Sequence, residues 1–254
     1  MSRGYTGFGT AWIDVDSPFH ADQLDVRVMR HISTRFRDRP LSLQPIAALM
    51  ASQYQRQPGN YLSYFSSFDY LQQVVGEFER HFPEIPVWLQ SRNMDEAAKS
   101  QFLDRFTDRS RGIGFAVLGG AFAEGIDLPG ARLIGAFVST LGLPQVNPIN
   151  EKLKQCMDAC FGARQGYDYA YLYPGIQKVV QAAGRVIRTQ ADRGTVYLID
   201  DRYTSAKIRQ LLPRWWHVDV ITTNNVNTSR PTVPSPSQPA LPAIMAPTTT
   251  SRIA

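Results

Sequence analysis

Residues 181–203, QAAGRVIRTQADRGTVYLIDDRY, decide how the chain folds. Ile176, Val179 and Val180 lead into Ala183, Val186 and Ile187, and this apolar stripe at helical spacing predicts one buried helix face. Gln181, Arg185 and Arg188 fall away from the stripe. The spacing therefore predicts two guanidinium groups on neighbouring turns, both able to reach one anion such as a phosphate. Gly184 costs ~1 kcal/mol relative to alanine in a helix interior, and its missing side chain lets another backbone or a ligand approach closely. A solvated basic helix with a packing glycine is the plainer alternative. After Gly194, residues 195–199 (TVYLI) form a β-branched and aromatic run ending on Asp200 and Asp201, which predicts a buried strand with polar groups at its carboxyl end.

Outward from this stretch, strands alternate with helices. Residues 24–29 (LDVRVM) alternate as a strand, and residues 41–57 place Leu43, Ile46, Ala47, Leu49, Met50 and Tyr54 at helical spacing until Pro58-Gly59 stops them. Residues 61–65 predict a strand. Ser66, Ser67 or Asp69 then caps a helix that carries Leu71, Val74, Val75, Phe78 and Phe82. Residues 86–90 (PVWLQ) predict another strand, and Asn93 with Glu96 reads as a capping box opening a helix over residues 94–106, with Ala98, Phe102 and Phe106 towards the core.

Residues 114–130, GFAVLGGAFAEGIDLPG, predict a strand that runs into a loop with four glycines. Backbone N–H groups of such a loop can approach a phosphate closely, and Glu124 and Asp127 can accept hydrogen bonds. A glycine-rich turn between two strands is the alternative. Residues 132–140 are a further buried strand and residues 148–161 a helix. Residues 167–173 (YDYAYLY) carry four tyrosines, read as a packed aromatic segment with base stacking as the alternative. A short helix around residues 205–212 and a strand at 218–221 follow, with Trp215 and Trp216 closing the core edge. This order argues for an α/β fold: a mostly parallel sheet with helices on both faces, and ligands beyond the strand carboxyl ends.

A net charge of +5 permits an anionic partner such as nucleic acid without requiring one. Cys156 and Cys160 are two thiols on one side of a helix, too few for a structural zinc or iron–sulfur site, and read as half-buried thiols of a reduced, cytoplasmic protein. No metal site is expected, since His20, His31, His81 and His217 are scattered and match no metal or triad spacing. No apolar run approaches the ~20 residues of a membrane span.

The segment 181–203 resembles motif VI of superfamily 2 helicases, and in detail the DinG and XPD type of DNA helicase. Residues 119–130, GGAFAEGIDLPG, resemble motif V, and the strand, turn and helix around Ser67 resemble motif IV. The resemblance covers about residues 17–222. It implies the second RecA-like domain of a motor in which two such domains clasp ATP with Mg²⁺. By position it implies Arg188 as the arginine finger, Arg185 as a second phosphate contact, and Gln181, Gly184 and Asp127 at the nucleotide. It likewise implies Ser67, Gly119 and Gly120 on the backbone of single-stranded DNA, with Glu124 and Gly125 ordering the loop. Relatives unwind DNA in the 5′ to 3′ direction, and the cysteines that ligate an iron–sulfur cluster in many of them belong to the first domain. Motifs IV, V and VI are all expected at the carboxyl end of the sheet.

The expected layout is an irregular lead-in over residues 1–16, the RecA-like domain over 17–223, and a disordered Pro/Thr/Ser-rich tail over 224–254. Ser17-Pro18-Phe19 resembles the segment after the junction between motor halves. The chain contains no G-x-x-x-x-G-K-[ST] phosphate loop and no Asp-Glu pair at a strand end. The leading expectation is thus the second half of an ATP-dependent helicase, inactive alone, whose partners are single-stranded DNA and an N-terminal motor domain. The alternative is a catalytically silent module that binds nucleic acid or protein.

Overall fold

The computed structural model describes residues 17–123 and 125–222; the expectations for residues 1–16, for Glu124 and for residues 223–254 lie outside the described part. Seven strands, β1 (Leu24–Met29), β2 (Asn60–Phe65), β3 (Val87–Leu89), β4 (Gly112–Val117), β5 (Gly135–Ser139), β6 (Gly194–Leu198) and β7 (His217–Ile221), make one sheet in the order β3-β4-β2-β5-β6-β1-β7. Every pairing is parallel, so a crossover returns the chain between strands. Six α-helices serve or flank these crossovers: α1 (Arg39–Arg56), α2 (Phe68–His81), α3 (Glu96–Leu103), α4 (Pro148–Phe161), α5 (Tyr173–Ala183) and α6 (Ala206–Arg209).

Side chains alternate across the sheet with period two, and the two faces differ in bulk. Phe65, Phe115, Phe137 and Tyr197 point to the face covered by α1 and α2, where Phe65 stacks on Phe115 and Phe137 on Tyr197 at centroid separations of 5.9 and 5.2 Å. Leu62, Ala116, Ala136 and Val196 point to the other face. There the smaller residues leave room for α5, through Ile176, Val179 and Ala183, and for the buried apolar residues Phe122, Ala123, Ile126 and Leu128 of the glycine loop. The apolar residues of that loop are therefore part of the core, while Gly125 and Asp127 between them stay exposed.

Helix α3 starts two residues later than the Asn93 capping box, because Asp95 is its N-cap and accepts a hydrogen bond from Ala98 N at 2.8 Å. Helix α5 ends at Ala183, with Gly184 as its C-cap, so Arg185 and Arg188 lie beyond the helix and not on two of its turns. A side chain at Gly184 would meet only carbonyls of its own helix, and no close approach by another element explains this glycine. Cys156 and Cys160 are exposed free thiols, since α4 lies on the surface with no buried residue. The tyrosine segment contains a π-helical turn over residues 168–172, which buries Tyr171 but leaves Tyr167, Tyr169 and Tyr173 exposed.

Candidate functional site

Helix α5 runs back along the sheet, and the chain leaving it arrives at the amino ends of β1, β5 and β6. Gln23, immediately before β1, fixes it there: Gln23 Nε2 donates to the carbonyls of Thr189 (3.1 Å), Gln190 (3.1 Å) and Asp192 (3.2 Å). Buried Asp192 holds the same turn from within. Its Oδ2 accepts from the backbone N–H groups of Arg188 and Thr189, both at 2.7 Å, and its Oδ1 from Gly130 N at 3.2 Å. One carboxylate thus ties the end of motif V to the end of motif VI. Sequence reading missed both Gln23 and Asp192, because their partners are backbone groups that leave no mark in the pattern of side chains.

Two guanidinium groups then face the glycine loop. Arg185 donates from Nε to Ala123 O at 3.3 Å and from Nη1 to Ile126 O at 3.2 Å, so it braces two backbone carbonyls of that loop. Arg188 Nε donates to Asp127 Oδ1 at 2.8 Å; the Asp127 side chain is 69% exposed and that of Arg188 32%. An exposed pair of this kind contributes only ~0.2–1 kcal/mol, so the arginine is free to exchange the carboxylate for another anion. Gln181 lies exposed on the last turn of α5. Gly125 has φ +73° with open space where a side chain would stand.

The opposite end of the sheet holds the remaining residues. Ser67, just past β2, caps α2 by accepting from Tyr70 N at 3.3 Å. Gly119 follows β4 with φ +78°, a conformation that favours glycine, and Gly120 N closes a turn onto Val117 O at 3.1 Å. A β-carbon on Gly119 would stand 3.2 Å from Lys178 Cδ, which places that lysine's stem beside the loop. Gln90 supports the turn from below, accepting from Val117 N at 2.7 Å. Beyond β6, fully buried Asp200 accepts from Thr34 N at 3.0 Å, Arg202 N at 2.9 Å and Arg202 Nε at 2.6 Å. Burial alone would raise the Asp200 carboxyl, but the hydrogen bonds and charge of Arg202, with the Thr34 bond, outweigh it and hold it below its ordinary range.

The motifs therefore do not gather at one end, as the sequence leads one to expect. Ser67, Gly119 and Gly120 sit at the carboxyl end; Asp127, Arg185 and Arg188 sit at the amino end. The loop from Leu118 to Gly130 runs across the sheet face and joins the two. Among the described residues no group of three or more His, Cys, Asp or Glu gathers as a metal site, and no helix is long and apolar enough to cross a membrane.

Residues 50–219 match the helicase C-terminal domain family. The chain belongs to that family. Within this family of C-terminal helicase domains it is of the XPD and DinG type. It is 31% identical over 166 residues to the ATP-dependent DNA helicase chl-1 of Caenorhabditis elegans, covering 62% of this chain and 20% of that protein. A probable ATP-dependent helicase of Methanocaldococcus jannaschii is 29% identical over 157 residues, covering 57% of this chain and 24% of the relative. The ATP-dependent DNA helicase YoaA of Escherichia coli is 27% identical over 188 residues, covering 73% and 28%. The chain thus spans about a quarter of the length of these relatives. Solved structures described as XPD helicase and apo XPD align with TM-scores of 0.61 and 0.63 at 18% and 16% identity, each covering 78% of this chain and 35% and 40% of theirs. That likeness carries the fold, a RecA-like helicase domain.

Proposed function

We propose that this helicase C-terminal domain is the second motor half of an ATP-dependent DNA helicase. Arg188 supplies the arginine finger, with Arg185 near the phosphates and Gln181, Gly184 and Asp127 at the edge of the nucleotide. Ser67, Gly119 and Gly120 line part of the single-strand track, and Glu124 and Gly125 order the loop between the two sites. The observation that carries this reading is the 2.8 Å pair of Arg188 with exposed Asp127, at the far end of a loop whose other end is Gly119. A half-exposed arginine on a weakly held carboxylate is poised to meet a developing phosphate charge, and a finger of this kind is worth ~10³–10⁵ in rate.

The residues of this chain fit only the outer side of a triphosphate. It carries arginines for the phosphates but no phosphate loop, and its one Asp-Glu pair, Asp95-Glu96, opens α3 and does not end a strand. ATP and Mg²⁺ would be cradled by an N-terminal motor domain, in the same polypeptide or another, and this chain alone would turn over no ATP. Glycines of the carboxyl-end loop let a nucleic-acid backbone approach closely, and movement there would reach Asp127 through the buried residues Phe122, Ala123, Ile126 and Leu128.

The test is Arg188→Ala in the complete motor, with ATP turnover and single-strand binding measured on one preparation. Loss of turnover with binding retained supports the assignment, and unchanged turnover contradicts it. The second reading, a silent binding module, predicts single-strand or partner binding that no nucleotide alters.

A further inference from the structure

The connection from β1 to α1, with the first residue of that helix, carries Arg30, Arg35, Arg37 and Arg39 against one acid, Asp38. It lies at the carboxyl end of the sheet, where Thr34 is bound to Asp200. Most of its nearby charges are engaged: Asp38 accepts from Ser33, and Arg35 pairs with Asp201. Arg39 is held differently. Its Nη2 donates to Ser66 Oγ at 2.7 Å, and its guanidinium carbon lies 4.8 Å from the Tyr70 ring centroid and 5.3 Å from that of Phe36. Its Nε is enclosed without a hydrogen-bond partner, and among the described residues it forms no ion pair with a carboxylate.

Other arginines of the fold are held by carboxylates or carbonyls, apart from Arg56, which donates to Gln53 and to the Tyr197 hydroxyl. Arg27 is paired with Asp25 and Arg202 with Asp200, while Arg185 and Arg132 donate to backbone carbonyls. A charge partly withdrawn from water is normally paired, and Arg39 instead lies over the Phe36 and Tyr70 rings with a hydroxyl as its hydrogen-bond partner. Ser66 Oγ accepts from Arg39, so its own proton is free to donate. Ser67, one residue on, likewise accepts, from Tyr70 N in the helix cap, and keeps its own proton. On the outer side, Phe36 is 81% exposed and offers a ring face to solvent.

We infer that Arg39, Ser66 and Phe36 form a nucleotide subsite for single-stranded DNA: the phosphodiester is held by the Arg39 guanidinium and the Ser66 hydroxyl, and the adjoining base stacks on Phe36. The inference rests on the single-strand track proposed above and extends it across the carboxyl end of the sheet. An arginine and a hydroxyl on one phosphate make charge-assisted bonds, and a base on an aromatic ring adds affinity without regard to sequence.

Binding of the 254-residue chain to an oligodeoxythymidylate, followed between about 50 and 200 mM salt, tests each part. Removing one phosphate contact lowers the salt slope by ~0.7 for single strands, so Arg39→Gln should lose roughly 2.6-fold less affinity over that range than the unsubstituted chain. Arg39→Lys keeps the charge and should keep the slope, with binding weakened by loss of the planar fork. Phe36→Ala, at an exposed position, should weaken binding about fivefold or more with the slope unchanged. If the unsubstituted chain shows a salt slope and Arg39→Gln retains all of it, the subsite is overturned while the track stands. An unaltered affinity in Phe36→Ala overturns the stacking part. Should the unsubstituted chain show no salt-dependent binding, the track itself fails and the subsite with it.

Discussion

Arg188 Nε and Asp127 Oδ1 stand 2.8 Å apart, and this contact joins the segment after α5 to the loop after β4 at the amino end of the sheet. Both side chains reach solvent, whereas Asp192, which holds the backbone beneath them, is buried. The side-chain pair is thus easily opened, and the backbone that carries it is not.

This difference predicts unequal losses of stability. Asp127→Ala should shift the unfolding free energy by less than about 1 kcal/mol, because an exposed pair contributes little. Asp192→Ala strips acceptors from three backbone N–H groups and should cost about 2 kcal/mol or more. Urea unfolding of the two variants measures this directly, and equal midpoints would contradict the assigned roles.

Three glycines with positive φ should rank by what surrounds them. Gly125→Ala places its β-carbon in open space and should cost only the left-handed backbone penalty, ~1–2 kcal/mol. Gly119→Ala adds a contact at 3.2 Å with the flexible Lys178 stem, which can shift. Gly142→Ala drives its β-carbon to 2.6 Å from the Gly175 carbonyl oxygen, a backbone atom that cannot, and should be the most damaging. Denaturant midpoints give the order, and Gly142→Ala no worse than Gly125→Ala would refute it.

Asp200 should make the fold sensitive to acid. Its folded-state pKa lies below the ordinary 3.8, since Arg202 and Thr34 outweigh the effect of burial, so its stabilisation is fully present above the unfolded value. That stabilisation is lost as pH falls from the unfolded value through the folded one. Asp200→Asn leaves Arg202 without its buried partner and should cost about 3 kcal/mol at neutral pH. The gap between variant and parent should narrow as pH is lowered below about 4. A gap in urea midpoints that stays constant from neutral pH to about pH 3 would exclude this role.

Period alone revealed most of the fold. The strand Leu24–Met29 has the bounds its alternation predicts, and the helix Pro148–Phe161 has the bounds expected for it. The end of α5 was hidden by the same logic. Val186 and Ile187 keep helical spacing and are buried, yet after Ala183 the chain tightens, with Arg185 N on Ala182 O and Val186 N on Ala183 O. Apolar spacing records burial and says nothing of which carbonyl each N–H meets. Of the candidate site, the sequence marks Gly119 and Gly125 as loop glycines but not their conformation, which is left-handed at φ +78° and +73°. The separation of Gly119 from Asp127 to opposite ends of the sheet was not, since a loop that crosses a sheet face has the same sequence order as one that turns at its edge.

The most direct test of the motor reading is ATP turnover by the complete helicase carrying Arg188→Ala or Arg188→Lys, with single-strand affinity measured alongside. Alanine should lose ~10³–10⁵ in turnover, with single-strand affinity retained because Arg188 lies at the opposite end of the sheet from Gly119. Lysine should restore part of the rate at most, because it lacks the planar fork. Turnover that survives Arg188→Ala would show that Arg188 is not the arginine finger.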